Sequence, residues 1–455
     1  MDDERYDLEL ENKVKVGYTK LGVEEEAEIQ SAVRILLQGL GEDINREGIQ
    51  KTPLRVAKAL RHATKGYKQN AKDIVEGALF PEAGLVDNNT VGRAGGAGGL
   101  VVVRDLDLFS YCECCLLPFQ VKCHIGYVPC GERVVGLSKL SRVADVYAKR
   151  LQDPQRLADE VCLALHHSIK PAGVAVIFQC VHMHVPALKS MFLDRSPQGC
   201  IKVLVSSGSG IFLDEDGNTW GEFFGLLGFR SSIADEIQKK NSTHQWCPSQ
   251  ASPISKVIDP SMVSAVTSIL RSLGEDPSRK ELLRTPARFL KWLMYYQNCN
   301  TETELNAILG NSRGPQKSNG NVKVNKRIHS ELSLPFWSQC EHHLLPFHGV
   351  VHIGYFSAGE DPVEKSILQS IVLFYGFKLQ VQERLTKQVA ETVAPLVGGD
   401  VIVVAEASHM CMIARGIEKL GSSTATVAVL GHFSTDAKLR ASFLESLPSN
   451  VNGFL

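Results

Sequence analysis

The amino-acid sequence predicts an α+β protein made of two tandem copies of one domain, each an antiparallel sheet packed by helices and preceded by N-terminal helices. Three observations lead there. The octapeptide "CECCLLPF" at 112–119 returns as "CEHHLLPF" at 340–347, one point in a long internal match. β-rich stretches recur in both halves, "VKCHIGYVP" and "VVHIGYF", and read as strands. Each half also has a helical period: Leu157, Val161 and Leu165 repeat at i, i+4, i+8, as do Leu385, Val389 and Val393.

In chain order, "LGEDINREGIQKTPLRVAKAL" at 40–60 meets "LGEDPSRKELLRTPARFLKWL" at 273–293. The "KTPLRVAKAL" part reads as a helix with Pro53 at an N-terminal position. "CHIGYVP" at 123–129 meets "VHIGYFS" at 351–357, and "RLQDPQRLADEV" at 150–161 meets "KLQVQERLTKQV" at 378–389. "CVHMH" at 180–184 then meets "ASHMC" at 407–411, within a strand expected over 401–412. A unit this long is a duplicated domain, not a solenoid repeat. The expected division is a tail at 1–24, a first domain at 25–235, a polar Ser/Pro-rich linker at 236–257 and a second domain at 258–455. "NNTVGRAGGAGG" at 88–99 and "GNSRGPQKSNGNVKVNKR" at 310–327 read as inserts too rich in Gly, Asn and Lys to bury anything.

Composition excludes several classes. A chain of 455 residues with 44% hydrophobic content supports two packed cores. Its net charge of −1 gives no global field for nucleic acid or a membrane surface. No apolar run reaches the roughly 18 residues of a membrane span. The acidic "MDDERYDLELENK" lacks the pattern of a signal or transit peptide, so a cytoplasmic location is expected. Twelve cysteines without a secretory signal read as free thiols and metal ligands.

The second half carries the chemistry. Cys340 and His343 have C-x2-H spacing, and period 2 along the expected strand puts His409 and Cys411 on one face. Cys340, His343 and Cys411 would form a three-ligand zinc site with its fourth position open, the pattern of catalytic zinc. Such zinc lowers the pKa of its water towards neutrality. His342 and His409 stand beside these ligands and are natural proton carriers near pH 7. A Cys-x-x-His pair alone is weak, since a lone buried Cys is usually a small hydrophobe. The flanking His at both places strengthens the reading.

"SQCEHHLLPFHGVVHIGY", "LQVQERLTKQVAET", "HMCMIARGIEKLGSSTAT" and, in the first half, "VVGLSKLSRVADVYAKRLQ" resemble signature segments of GTP cyclohydrolase I. The tandem arrangement resembles the two-domain plant form of that family, and the resemblance spans most of both halves. It implies a tunnelling-type fold assembled into rings, with active sites between neighbouring domains. It also implies GTP as substrate: hydrolysis at guanine C8, release of formate and ring closure to 7,8-dihydroneopterin triphosphate, the first step towards pterins and folate. Position by position, Cys340, His343 and Cys411 match the zinc ligands, and His342 and His409 match the histidines used for proton transfer. Gln382 and Glu383 match the residues that hold the guanine; a carboxylate can accept two N–H bonds from its edge. Arg415 and Ser366, with Ser138, Lys139 and Arg142 of the first half, match triphosphate-binding positions.

Each half departs from the family pattern. In the second, Lys139 becomes Ile367 and Arg142 becomes Ser370. In the first, His342 becomes Cys114, Gln382 becomes Pro154, Glu383 becomes Gln155, and Arg415 falls opposite Leu188. The zinc set becomes Cys112, Cys115 and His184, either a second metal site or a relic of one. Lys139 and Arg142, spaced i, i+3 at a helix start, would present two cations beside an anion-favouring N-terminus. These complementary losses point to one composite site drawing on both halves. Two other readings stay open: a first half that is only a scaffold, and a nucleotide- or metal-binding protein without turnover.

Overall fold

A computed structural model describes residues 23–81, 99–130, 133–183, 200–214, 218–229, 246–247, 258–296, 328–356, 362–417 and 422–448. The 310–327 insert and all but the last residue of the 88–99 insert lie outside them, as does every linker residue except Trp246 and Cys247. The chain forms two compact units. The first comprises Met1–Ile35, Ala57–His184 and Cys200–Phe289; the second comprises Leu36–Val56, Val185–Gly199 and Leu290–Leu455. Relative to the sequence repeat, the stretches leading into the two Thr-Pro helix starts have changed places.

In the first unit, β1 (Leu79–Pro81) pairs with β4 (Arg133–Val135) as a small ribbon. The main sheet has the order β5-β2-β3-β6-β7, from β2 (Val101–Cys112), β3 (Pro118–Val128), β5 (Leu151–Gln152), β6 (Gly173–Met183) and β7 (Cys200–Gly210). The second unit repeats it as β10-β8-β9-β11-β12, from β8 (Ile328–Cys340), β9 (Pro346–Phe356), β10 (Leu379–Gln380), β11 (Val401–His409) and β12 (Thr424–Leu430). Both sheets are antiparallel, as expected, except for the two-residue edge strands β5 and β10, which run parallel to β2 and β8.

The HIGY segments have a structural reason. β2 bulges between Val103 and Leu106, and β8 between Glu331 and Leu334. Asp105 (φ 59°) and Ser333 (φ 58°) take the left-handed conformation there. The backbone N–H of each donates to an imidazole Nδ1, His124 or His352, at 3.2 Å in both copies. A bulge leaves one N–H off the ladder, and the buried ring supplies its acceptor.

Helices cover one face of each sheet. The Thr-Pro helices are α1 (Thr52–Ala63) and α6 (Thr285–Tyr295). In the first unit α2 (Leu137–Ala148) and α3 (Pro154–Ile169) pack on the sheet, and α4 (Asn218–Leu227) closes the other side. Helix α5 (Pro260–Ser272) precedes α6. In the second unit the sheet carries α7 (Lys365–Gly376) and α8 (Gln382–Val397), then the single turn α9 (Met410–Ile413) and α10 (Ala437–Glu445). Leu157, Val161 and Leu165 of α3 and Leu385, Val389 and Val393 of α8 are all fully buried. Each such burial is worth about 1.5–3 kcal/mol, which holds the two long helices flat on their sheets. The opposite faces close on Phe212, Trp220 and Phe223 in one unit and on Phe356, Phe433 and Phe443 in the other.

Candidate metal centre and active site

Both octapeptides form the same hairpin turn. The Cys112 N–H donates to the Leu117 carbonyl at 2.9 Å and the Cys340 N–H to the Leu345 carbonyl at 2.8 Å. Leu116 (φ 57°) and Leu344 (φ 54°) lie in the left-handed region, an arrangement a bulky residue keeps only where its surroundings enforce it. The enforcement is visible at the shared glutamate. Glu341 is buried and receives Arg384 at 2.6 Å and Arg46 at 2.9 Å, while its carbonyl accepts the Thr52 hydroxyl at 2.7 Å. Glu113 does the same with Arg156 at 2.6 Å, Arg279 at 3.0 Å and the Thr285 hydroxyl. Sequence reasoning passed over these glutamates. Their signal was the Glu kept in both octapeptides, where the neighbouring metal-type residues change.

In the second unit the turn brings Cys340, His343 and Cys411 together, with ligand atoms all within 4.8 Å of one another. Cys340 Sγ lies 3.9 Å from His343 Nδ1 and 4.0 Å from Cys411 Sγ. The Cys340 thiol is held far below its usual value, chiefly by the hydrogen bond from Cys411, with His343 and His409 adding to it against the opposing effect of burial. Two sulfurs and an imidazole at these separations fit a zinc ion.

One expectation needs correction. The strand expected over 401–412 ends at His409, and Cys411 sits in α9. The face shared by His409 and Cys411 is therefore not a product of strand alternation. The helical turn swings Cys411 onto Cys340, while His409 stays in the sheet, stacked on Phe347 with ring centroids 4.5 Å apart. His409 Nε2 meets Gln382 Oε1 at 2.8 Å. Gln382 is buried at the start of α8, and its amide nitrogen donates to the carbonyls of Ala405 and Thr424.

The remaining candidates spread around this centre. His342 is half-buried, with Nε2 3.9 Å from Glu341 Oε1 and its ring 6.5 Å from that of His343. Glu383 is exposed in the first turn of α8 and borders a groove of about 450 Å³ with Lys387, Glu391 and residues 426–430 of β12. Arg415 donates through Nε to the Cys411 carbonyl at 2.6 Å, which ties its guanidinium to the metal turn. Ser366 is exposed at the start of α7. In the first unit, Ser138, Lys139 and Arg142 occupy the first turns of α2, with Ser138 and Arg142 exposed and Lys139 half-buried. Among the described residues neither cation has a carboxylate partner.

In the first unit one expected member of the thiol set, His184, lies outside the described residues. Among the described residues the histidine that stands with Cys112 and Cys115 is His182, and Cys247 joins them. Cys247 was missed because its surroundings read as linker; "WC" inside that polar stretch was the available signal.

The family model for GTP cyclohydrolase I matches residues 29–189 and again 262–448, one match per sequence copy. A curated relative from Solanum lycopersicum, GTP cyclohydrolase 1, is 60% identical over 99% of this chain and 98% of its own length. Its counterpart from Arabidopsis thaliana is 60% identical over 98% of this chain and 96% of its own. The GTP cyclohydrolase 1 of Dictyostelium discoideum is 41% identical over 44% of this chain and 77% of its own, about one copy's worth. A doubled fold, two matches in tandem and full-length relatives of the same kind agree: the chain belongs to the GTP cyclohydrolase I family and is an enzyme of that class.

Proposed function

We propose that the chain is a zinc-dependent GTP cyclohydrolase that opens guanine at C8, releases formate and closes the ring to 7,8-dihydroneopterin triphosphate, the entry to folate synthesis. The observation that carries this is the convergence of Cys340, His343 and Cys411 with His409 beside them. Zinc bound there would supply Lewis acidity and a water made nucleophilic near neutral pH. His409 moves a proton at the reacting base, with Gln382 setting which ring nitrogen is free to do so. His342, on the more exposed side of the turn, exchanges that proton with solvent. Glu383 accepts the guanine N–H groups, and its exposure leaves its oxygens available to them.

Arg415 and Ser366 bind the triphosphate on the side of the metal set. Lys139, Arg142 and Ser138 supply the rest of that grip, which the second sequence copy has lost at Ile367 and Ser370. The copies at 25–235 and 258–455 are the proposed units of duplication, and a homo-oligomeric ring in the cytoplasm is the proposed working form. No helix among the described residues is long and apolar enough to cross a membrane. The deciding experiment incubates purified protein with GTP and follows formate and the fluorescence of the oxidised pterin, alongside zinc content. Absence of both products from zinc-loaded protein would refute the reading.

A further inference from the structure

The first unit contains a cluster that the proposed reaction does not use. Cys112 ends β2, Cys115 lies in the turn that follows, His182 is on β6, and Cys247 belongs to the segment between the sequence copies. All four residues are buried, and their ligand atoms lie within 4.8 Å of one another. Cys115 Sγ is 3.3 Å from His182 Nε2. Tetrahedral zinc, with bonds of about 2.3 Å to sulfur and 2.0 Å to nitrogen, separates its ligand atoms by roughly 3.5–3.8 Å. Small movements of the side chains therefore close the shell.

The imidazole is set for this role. His182 Nδ1 lies 2.7 Å from the Met183 carbonyl, which can only accept, so Nδ1 keeps its proton and in the neutral, metal-binding ring the lone pair is on Nε2, the nitrogen that faces Cys115. The fourth residue is held by packing. Trp246, next to Cys247, stands edge-on to both Phe119 and His182, each ring 4.9 Å away.

The two copies place their histidines alike. The pairing of Phe119 with His182 in the first sheet matches that of Phe347 with His409 in the second. The position that carries His409 in one copy thus supplies a ligand in the other. Pro154 stands where the second copy has Gln382 at the helix start, and among the described residues no side-chain amide holds that ring in the first unit. We propose that Cys112, Cys115, His182 and Cys247 bind zinc as a closed structural Cys3His centre, separate from the three-ligand site of the second unit. Three thiolates with a neutral imidazole suit tetrahedral zinc. Four protein ligands leave no coordination position for water or substrate, so this centre stabilises the fold and does not catalyse. It also fastens the connecting segment to the first sheet. Loading releases to solvent the protons that the thiols and Nε2 carry beforehand.

The test uses the full-length protein, purified without chelator, and measures metal per chain. Wild type should hold about two zinc ions and the Cys340→Ser/Cys411→Ser variant about one. Replacing the residual ion with cobalt should give intense visible bands of a tetrahedral site and thiolate charge-transfer absorption. Adding Cys247→Ser should remove most of the residual metal and lower the melting temperature. Cys247→His, which keeps a fourth ligand and guards against simple misfolding, should retain the cobalt spectrum with a weaker thiolate band. A wild-type chain that holds only the metal lost on Cys340→Ser/Cys411→Ser would overturn the proposal. So would residual metal whose amount and cobalt spectrum are indifferent to Cys247→Ser.

Discussion

His409 donates through Nε2 to the Gln382 side-chain oxygen, 2.8 Å away. The direction follows from the rest of the network. The Gln382 nitrogen lies 2.9 Å from the Ala405 carbonyl and 2.8 Å from the Thr424 carbonyl. Carbonyls only accept, so the amide oxygen must face the ring, and Nδ1 is the basic nitrogen of neutral His409. The proposed role of Gln382 therefore includes setting the tautomer of His409, beside the guanine contact that its position implies. Gln382→Leu should keep zinc but lower kcat by about 10–100-fold, the usual worth of a group that orients a functional histidine, while loss of a guanine contact would show separately as a raised KM for GTP. A shifted pH–rate profile should accompany the loss. An unchanged profile with unchanged kcat would leave the hydrogen bond without a catalytic consequence.

Removing the proposed proton carriers themselves should cost more. His409→Ala and His342→Ala are expected to bind zinc and GTP and to lose on the order of 10²–10⁴ in rate, the range for general acid–base catalysis. Single-turnover kinetics on zinc-loaded variants separate this from metal loss. A variant that turns over at the wild-type rate has no such role.

Metal removal has a graded outcome. Cys340→Ser or Cys411→Ser each deletes a thiolate from a three-ligand site and should abolish activity together with metal at that site. Activity that persists after dialysis against a chelator strong enough to strip zinc would separate the reaction from the metal.

Glu383 tests base recognition. Glu383→Gln keeps the shape and removes the charge, reproducing Gln155 of the first copy. The expected loss in kcat/KM for GTP is about 1.5–3 kcal/mol, the worth of a hydrogen bond to a charged group. Equal kcat/KM for the variant and wild type would place guanine recognition elsewhere.

Lys139→Ala and Arg142→Ala should raise the KM for GTP, by an amount equivalent to about 2–5 kcal/mol if each charge meets the triphosphate in a desolvated pocket. Surface cations without that task would change it by less than about 0.5 kcal/mol. Zinc content should be unchanged in both. Wild-type kinetics from the double variant would reduce the first copy to a scaffold.

The sequence by itself determined the duplication, the α+β class and the grouping of Cys340, His343 and Cys411 in the second copy. These follow from local pattern: matched segments in matched order, apolar residues at helical spacing on α3 and α8, and a Cys-x-x-His turn whose spacing survives in the hairpin. The α8 reading succeeded because Leu385, Val389 and Val393 have one face to bury whatever lies beneath them. Only the tertiary structure decided the rest. That β11 stops at His409, so that Cys411 reaches Cys340 from a helical turn, depends on contacts between distant segments and has no local signature. The same holds for the third thiol of the first unit. Cys247 stands in a stretch whose composition reads as linker, and its position beside Cys112, Cys115 and His182 exists only once two strands, a hairpin and the packing of Trp246 are in place. Periodicity reports which face of an element is buried; which side chains converge across elements is set by how the sheet folds, and that is a property of the whole chain.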